Sequence, residues 1–263
     1  MHHASLFTPE EARALIRTGE WTRPTSGMAA GYTQANMAIL KKELAFDFLL
    51  FCQRNPKPCP VLDVTEVGSP VPKLIAPNSD LRTDLPGYRI YRNGELTEEV
   101  TDITPYWEDD MVAFLIGCSF TFERAMLQNG LPVRHIEENC NVAMYKTNIP
   151  CVKTGHFEGP MVVSMRPLPV RDVVRAVQIT SRFPAVHGAP VHIGDPSAIG
   201  IADINRPDFG DRVTIKDGEV PVFWACGVTP QAVAMHVKPE IMITHAPGHM
   251  FITDMKEEHY SVL

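Results

Sequence analysis

A chain of 263 residues, 44% of them hydrophobic, is long enough to bury a substantial core as one large domain or two smaller ones. Its 24 Lys and Arg against 31 Asp and Glu leave a net charge of −7 without a basic run, which argues against a nucleic-acid partner. The first 21 residues lack the basic-then-apolar layout of a signal peptide, and no window approaches the roughly 18 to 20 apolar residues of a membrane span. The expectation is a cytoplasmic protein with no membrane partner. Cys52, Cys59, Cys118, Cys140, Cys151 and Cys226 form no CxxC pair, which favours buried thiols over disulfides or a zinc site.

Thr8-Pro9-Glu10-Glu11 predicts a helix start, with Thr8 as cap, Pro9 in the first turn and Glu11 completing a capping box. The stretch 31–56 carries apolar residues on a broad face and predicts one long, mostly buried helix ending at Asn55-Pro56. Segments 60–68 and 71–76 predict strands, and Asn93-Gly94 between two alternating runs predicts a hairpin. The continuous apolar run Met111 to Ile116 is the pattern of a strand covered on both faces, as in a parallel sheet, and a helix closed by Asn129-Gly130 follows it. Beyond Gly130 the chain turns Pro-, Gly- and Asn-rich, with short strands and then a helix carrying Val170, Val173, Val174 and Val177. The last third returns to strand, turn and helix, with Asp195-Pro196 and Thr229-Pro230 as helix starts and Ile241 to Asp254 as two strands around a His-Ala-Pro-Gly-His loop. This rhythm predicts an α/β fold on a mainly parallel or mixed sheet, residues 1–130 and 186–263 forming the core and 131–185 an inserted α+β layer.

Three junctions resemble one another: Gly117-Cys118-Ser119, Gly194-Asp195-Pro196-Ser197 and Cys226-Gly227-Val228-Thr229-Pro230. Helix N-termini offer unpaired N–H groups to anions, so Cys118, Ser119, Gly227 and Thr229 are candidates for binding a carboxylate; capped turns of this kind also serve structure alone. Cys118 itself reads as a nucleophile at a helix start, as part of an anion-binding turn, or as a small buried hydrophobe; the second reading is favoured. Glu123, one turn into the helix, is a candidate acid or base. Two segments echo each other, 187–195 and 245–254, and bring His187 with His192 and His245 with His249 near Asp195 and Asp254. Imidazoles near a carboxylate suit general acid–base work; zinc ligation and structural histidines are the rivals. Tyr32, Gln34 and Asn36, with Thr33, form a polar group fit for a substrate amide or carboxylate, and Arg82, with Arg134, Arg166 and Arg206 behind it, for a two-pronged carboxylate contact.

The strings "GYTQANMAIL", "DLRTDLPGYRIYRNGEL", "AFLIGCSFTFE", "PVRHIEENCNVAMYKTNI", "HGAPVHIGDPSAIGI", "PVFWACGVTPQ" and "THAPGHMFITD" together resemble the bacterial putative hydro-lyase family. That family is related to the domain of D-glutamate cyclase, which closes D-glutamate into 5-oxo-D-proline with loss of water. The resemblance implies a three-layer α/β domain with a smaller two-layer domain, and carbon–oxygen bond cleavage by dehydration or lactam closure. The expected chemistry uses no cofactor and no metal. A small carboxylate or amino-dicarboxylate is anchored on the amides after Gly117 and Gly227 with help from Arg82. A histidine of either pair removes a proton, and Asp195 or Glu123 protonates the departing oxygen. The rival is a small-carboxylate binding or regulatory protein without turnover; a homo-oligomer is left open.

Overall fold

The computed structural model describes residues 3–262; Met1, His2 and Leu263 lie outside it. In chain order the helices are α1 (Pro9–Arg17), α2 (Lys42–Arg54), α3 (Phe120–Gln128), α4 (Arg134–Glu137), α5 (Val173–Thr180) and α6 (Thr229–Val237). The strands are β1 (Tyr32–Lys41), β2 (Val61–Val64), β3 (Tyr88–Arg92), β4 (Glu95–Val100), β5 (Met111–Gly117), β6 (Ala143–Pro150), β7 (Pro160–Pro169), β8 (His192–Ile193), β9 (Glu219–Ala225), β10 (Ile241–His245) and β11 (Phe251–Lys256). They build a seven-stranded sheet in the order β2-β5-β1-β10-β3-β4, with β11 also on β1, and a four-stranded sheet in the order β6-β7-β9-β8. Among the described residues no helix is long and apolar enough to cross a membrane.

The α/β character holds, but every ladder described is antiparallel, which corrects the parallel expectation. The apolar run of β5 has another cause. Met111, Ala113 and Leu115 face one core, with Ile75, Leu81, Leu85 and Ile103. Val112, Phe114 and Ile116 face the other, with Phe48 and Phe51 of α2 and Val233 and Ala234 of α6. Burial on both faces, whatever the strand direction, erases the alternation of polar and apolar residues. Helices cover only the second of these faces; irregular chain from 72–85 and 103–107 covers the first. The four-stranded sheet takes β6 and β7 from within 131–185 and β8 and β9 from beyond it, and β9 pairs with β7 from Glu219 to Ala225.

Three further expectations change. The predicted helix over 31–56 is the buried strand β1 followed directly by α2. The faces of β1 pack against the same two cores as those of β5, Met37 and Ile39 in one and Ala38 and Leu40 in the other, so its pattern reads as well for a helix as for a strand. Segment 71–76 is a turn, because Asp63 Oδ2 accepts the Leu74 amide at 2.9 Å and Ala76 N–H donates to Pro72 O at 3.0 Å. In the 170–182 region the helix begins only at Val173, so Val170 and Val174 are exposed while Ala176 and Thr180 are buried. The capping box on α1 and the Asn93-Gly94 turn form as predicted, the latter with φ of 50° and 82° at its two residues.

β1 exchanges partners along one edge: Ala38 to Leu40 pair with β10, and Tyr32 to Ala35 pair with β11. At the break Met37 N–H donates to His245 Nδ1 at 3.1 Å, so the imidazole serves a backbone group that the ladder leaves open. This leaves the proton on Nε2, and Met37 O, 3.2 Å from the same Nδ1, gains no hydrogen bond from it. Burial holds the imidazole neutral, its pKa lowered to about 4. His245 is therefore a structural plug, which corrects its expected role as a base.

His245→Ala should lower unfolding stability by about 1–3 kcal/mol in urea titration, the cost of stranding a buried N–H. Because the unfolded imidazole takes up a proton near its ordinary value of 6.5 and the folded one only near about 4, wild-type stability should fall as pH drops from 6.5 towards 4. His245→Gln should lessen that slope without abolishing it, because buried His187, also held at about 4, contributes in the same direction; an unchanged slope would remove His245 as a source.

Candidate functional site

The two sheets meet where β5 hands over to α3 and β9 hands over to α6. Cys118, Phe120, Cys226, Val228 and Met250 pack there in one cluster with Val142, just before β6, Met144 of β6 and Val162 of β7. The two turns are built alike. Cys118 Sγ lies 3.5 Å from the Phe120 amide, and the Cys226 sulfur receives the Val228 amide, each two residues on. Two of the three predicted junctions thus converge. Gly117 is needed because a Cβ there would stand 2.1 Å from Ala185 O, and Gly227 because a Cβ would stand 1.9 Å from Asn36 Nδ2. Asn36 in turn donates to Gly117 O at 2.7 Å and ties the two turns together.

Behind this junction lies a buried charged cluster. Arg166 of β7 has no solvent exposure, and its guanidinium lies over the adjacent rings of Phe122 and Trp224, 5.4 and 5.5 Å from their centroids. Its Nε and Nη2 donate to Glu123 Oε1 at 3.0 and 2.5 Å, its Nη2 also to Ser119 Oγ at 3.0 Å, and its Nη1 to Ser164 Oγ at 3.1 Å. Ser26 Oγ donates to Glu123 Oε2 at 3.2 Å. Burial alone would raise the Glu123 pKa, but His135 and Arg166 override it and hold the carboxyl at about 2. His135 Nε2 stands 3.0 Å from Glu123 Oε1, an ion-pair distance, yet its N–H direction misses the oxygen and the atom is buried without an aligned partner. Its ring stacks on Phe120 with centroids 5.9 Å apart.

This geometry revises several roles. Glu123 lies at the site, but a carboxylate ionised down to about pH 2 has no proton to give, so it cannot be the acid that frees the departing oxygen. Burial pushes both thiols up, Cys226 to about 11 and Cys118 further, so neither supplies a thiolate near neutrality. Ser119 turns its hydroxyl to Arg166 and does not cap α3. Thr229 Oγ1 accepts the Val162 amide at 3.0 Å and donates to Cys226 O at 2.7 Å, which fixes α6 to β7. Gln34 donates to Thr25 O at 2.9 Å and Met28 O at 3.2 Å and so holds the loop that carries Ser26.

Other candidates lie elsewhere or are committed. Asp195 is exposed and accepts the Ser197 amide at 2.9 Å as a local cap, and His192 Nε2 sits 2.7 Å from Asp195 O. Gly194 N–H bonds Pro221 O near the start of β9, whereas Cys226 follows its end, so the third junction does not join the other two. Arg82 pairs with Asp80 at 2.7 Å, Arg134 with Glu219 at 2.6 Å, and Arg206 is exposed. Tyr32 carries Lys256 Nζ over its ring at 3.6 Å. His187 is buried beside Gly117 with Nδ1 2.9 Å from Lys57 O, and burial lowers its pKa to about 4. His249 Nδ1 stands 3.0 Å from Pro247 O, and the ring lines a shallow groove with Gly87, Tyr88 and Asp102. Sequence reasoning passed over His135, Ser164 and Ser26; only the quoted string around His135 held a signal. Among the described residues no group of three or more His, Cys, Asp or Glu is arranged to hold a metal ion.

Comparison with known proteins bears on this junction, because the family model described as D-glutamate cyclase matches residues 112–254, from β5 to β11. A protein of Geobacillus kaustophilus named "Putative hydro-lyase" is 72% identical over 263 residues, covering 100% of both chains. Proteins of the same description from Bacillus licheniformis and Bacillus subtilis are 70% and 71% identical, covering 99% and 98% of this chain and 100% of their own. The chain belongs to this family. A solved nitrogen repressor-like protein from Methanococcus jannaschii aligns over 93% of this chain and 97% of its own at 10% identity and a TM-score of 0.39, too slight a likeness to carry fold or function.

Gly227→Ala should lower stability by about 1–3 kcal/mol through overpacking against Asn36. Because the clash is with that side chain, the double variant Gly227→Ala/Asn36→Ala should lose less than the sum of the two single losses. Additive losses in urea titration would show that Asn36 does not impose the glycine.

Proposed function

We propose that the chain, an enzyme of the lyase class by its family, removes water from a small carboxylate or amino-dicarboxylate held at Arg166, Ser119 and Ser164. The observation that carries this reading is a guanidinium without solvent exposure whose Nη groups address two neutral hydroxyls, Ser119 and Ser164, beside a carboxylate. Glu123 already balances its charge for folding, so the hydroxyl-facing side is where an incoming carboxylate gains most. There it replaces neutral hydrogen bonds with charge-assisted ones, which are roughly twice as strong. Family membership supports loss of water as the reaction, and D-glutamate closing to 5-oxo-D-proline is the specific case to which the family description points.

Purified protein incubated with D-glutamate and, separately, a panel of hydroxy-dicarboxylates should yield a dehydrated or cyclised product by mass spectrometry. Arg166→Lys keeps a cation for Glu123 but loses the two-pronged contact, so kcat/KM should fall by about 100-fold, or roughly 3 kcal/mol. Thermal stabilisation by these compounds with no product would instead make the chain a carboxylate-binding protein. An Arg166→Lys enzyme as active as wild type would move the carboxylate site elsewhere.

A further inference from the structure

We propose that His135 is the catalytic proton carrier of this site, held at its place by Glu123; the inference rests on the lyase reading above. The groups around the junction leave little else. Glu123 is ionised and already accepts from Arg166 and Ser26, and Arg166 keeps its charge throughout. The thiols of Cys118 and Cys226 are held protonated by burial. His245 is committed to Met37 N–H and His187 to Lys57 O, while His249, His192 and Asp195 lie off the cluster.

His135 is 1% exposed and its Nε2 is buried without an aligned hydrogen bond, a condition that the Nε2 atoms of His187 and His245 share; of the three only His135 has a carboxylate at ion-pair distance, Glu123 Oε1 at 3.0 Å. The charged groups facing it are Glu123 from α3 and, on the same carboxylate oxygen, Arg166 from β7. Phe120 stacks against its ring and limits rotation, so a proton exchanged at the imidazole enters and leaves in a fixed direction. A carboxylate beside an imidazole stabilises the imidazolium that forms during transfer, and an arginine on the same carboxylate keeps that carboxylate from taking the proton itself.

Water loss needs a single such group. In lactam closure the amino nitrogen forms a bond to the γ-carboxyl carbon and a carbon–oxygen bond breaks. Two protons leave nitrogen and both end on the departing oxygen as water. In dehydration of a hydroxy acid one proton leaves carbon, the carbon–oxygen bond breaks, and the proton joins the departing hydroxide. In either case His135 takes a proton from one substrate atom and delivers it to the oxygen that leaves, ending in its starting state with no other reactant consumed.

The wild type is assayed first with D-glutamate and the hydroxy-dicarboxylate panel. No product from any of them overturns the lyase reading and this inference with it. Given wild-type product, His135→Gln should lower kcat by about 10²–10⁴ while KM stays within about threefold and the melting temperature stays near that of wild type. Arg166→Lys, by contrast, should act mainly on KM. Where His135→Gln does not fold, His135→Asn takes its place. Undiminished kcat in either folded variant overturns the role of His135 and leaves the carboxylate site standing; a matched rise in KM without loss of kcat makes it a binding residue and also overturns it.

Discussion

The contact on which the junction depends is the buried pair of Arg166 and Glu123. The arginine stands on β7 of the four-stranded sheet and the glutamate on α3, which springs from β5 of the seven-stranded one, so one ion pair spans the two halves of the molecule. Neither charge tolerates burial alone, because an unpaired ion in the interior costs several kcal/mol. The two sheets must therefore be docked closely enough for Glu123 Oε1 to accept both Nε and Nη2. The stacking of Phe122 and Trp224 around the guanidinium and the rotation of Ser119 away from its own helix follow from that requirement. Replacing such a pair by well-packed apolar residues is at least as stable in many proteins, so a buried pair of this kind is weak evidence of a folding role.

Much of the fold was legible where local chemistry decides it. The Thr8 capping box, the Asn93-Gly94 turn and the Pro-initiated helix α6 each depend on a few adjacent residues, and each forms as predicted. The direction of the strands was not legible. β5 and β1 are buried on both faces because α2 and α6 cover one side of the sheet and loop segments the other, and a strand so covered reads alike in a parallel and an antiparallel sheet. For β1 the same double burial removed even the distinction between strand and helix. The information resides in which segments cover the sheet, and one of them, α6, begins only at Thr229, far along the chain from β1 and β5.

The site was legible in part for the same reason. Cys118, Ser119, Glu123 and Gly227 sit at strand-to-helix turns, which a sequence displays, and the structure brings them together. Arg166 was one arginine among several, and nothing in its neighbours distinguishes a guanidinium without exposure from one in water. His135 was passed over because it lies in the Pro-, Gly- and Asn-rich segment beyond Gly130 and belongs to a four-residue helix, with no periodicity to mark it. The paired histidines drew attention through their spacing, yet spacing carries no information about where a ring nitrogen points. At His245 it points to a gap in a ladder, and at His192 to a neighbouring carbonyl.

The arrangement also explains why so few groups at the junction are free to titrate. Dehydration moves one or two protons from one part of a substrate to another and consumes none, so every additional group able to exchange protons near neutrality offers a competing path with the wrong geometry. A carboxylate held at about 2, thiols pushed far up and buried imidazoles held at about 4 are inert over the range where the reaction runs. Exclusion of water would have the same consequence: with Ser119 and Cys118 nearly closed off, an oxygen leaving a substrate at the proposed site would take its proton from a group the protein has placed. The burial that misled the reading of the strands also bears on the proposed chemistry, because the packing that silences most side chains at the junction would leave His135 as the proton carrier beside a fixed positive charge.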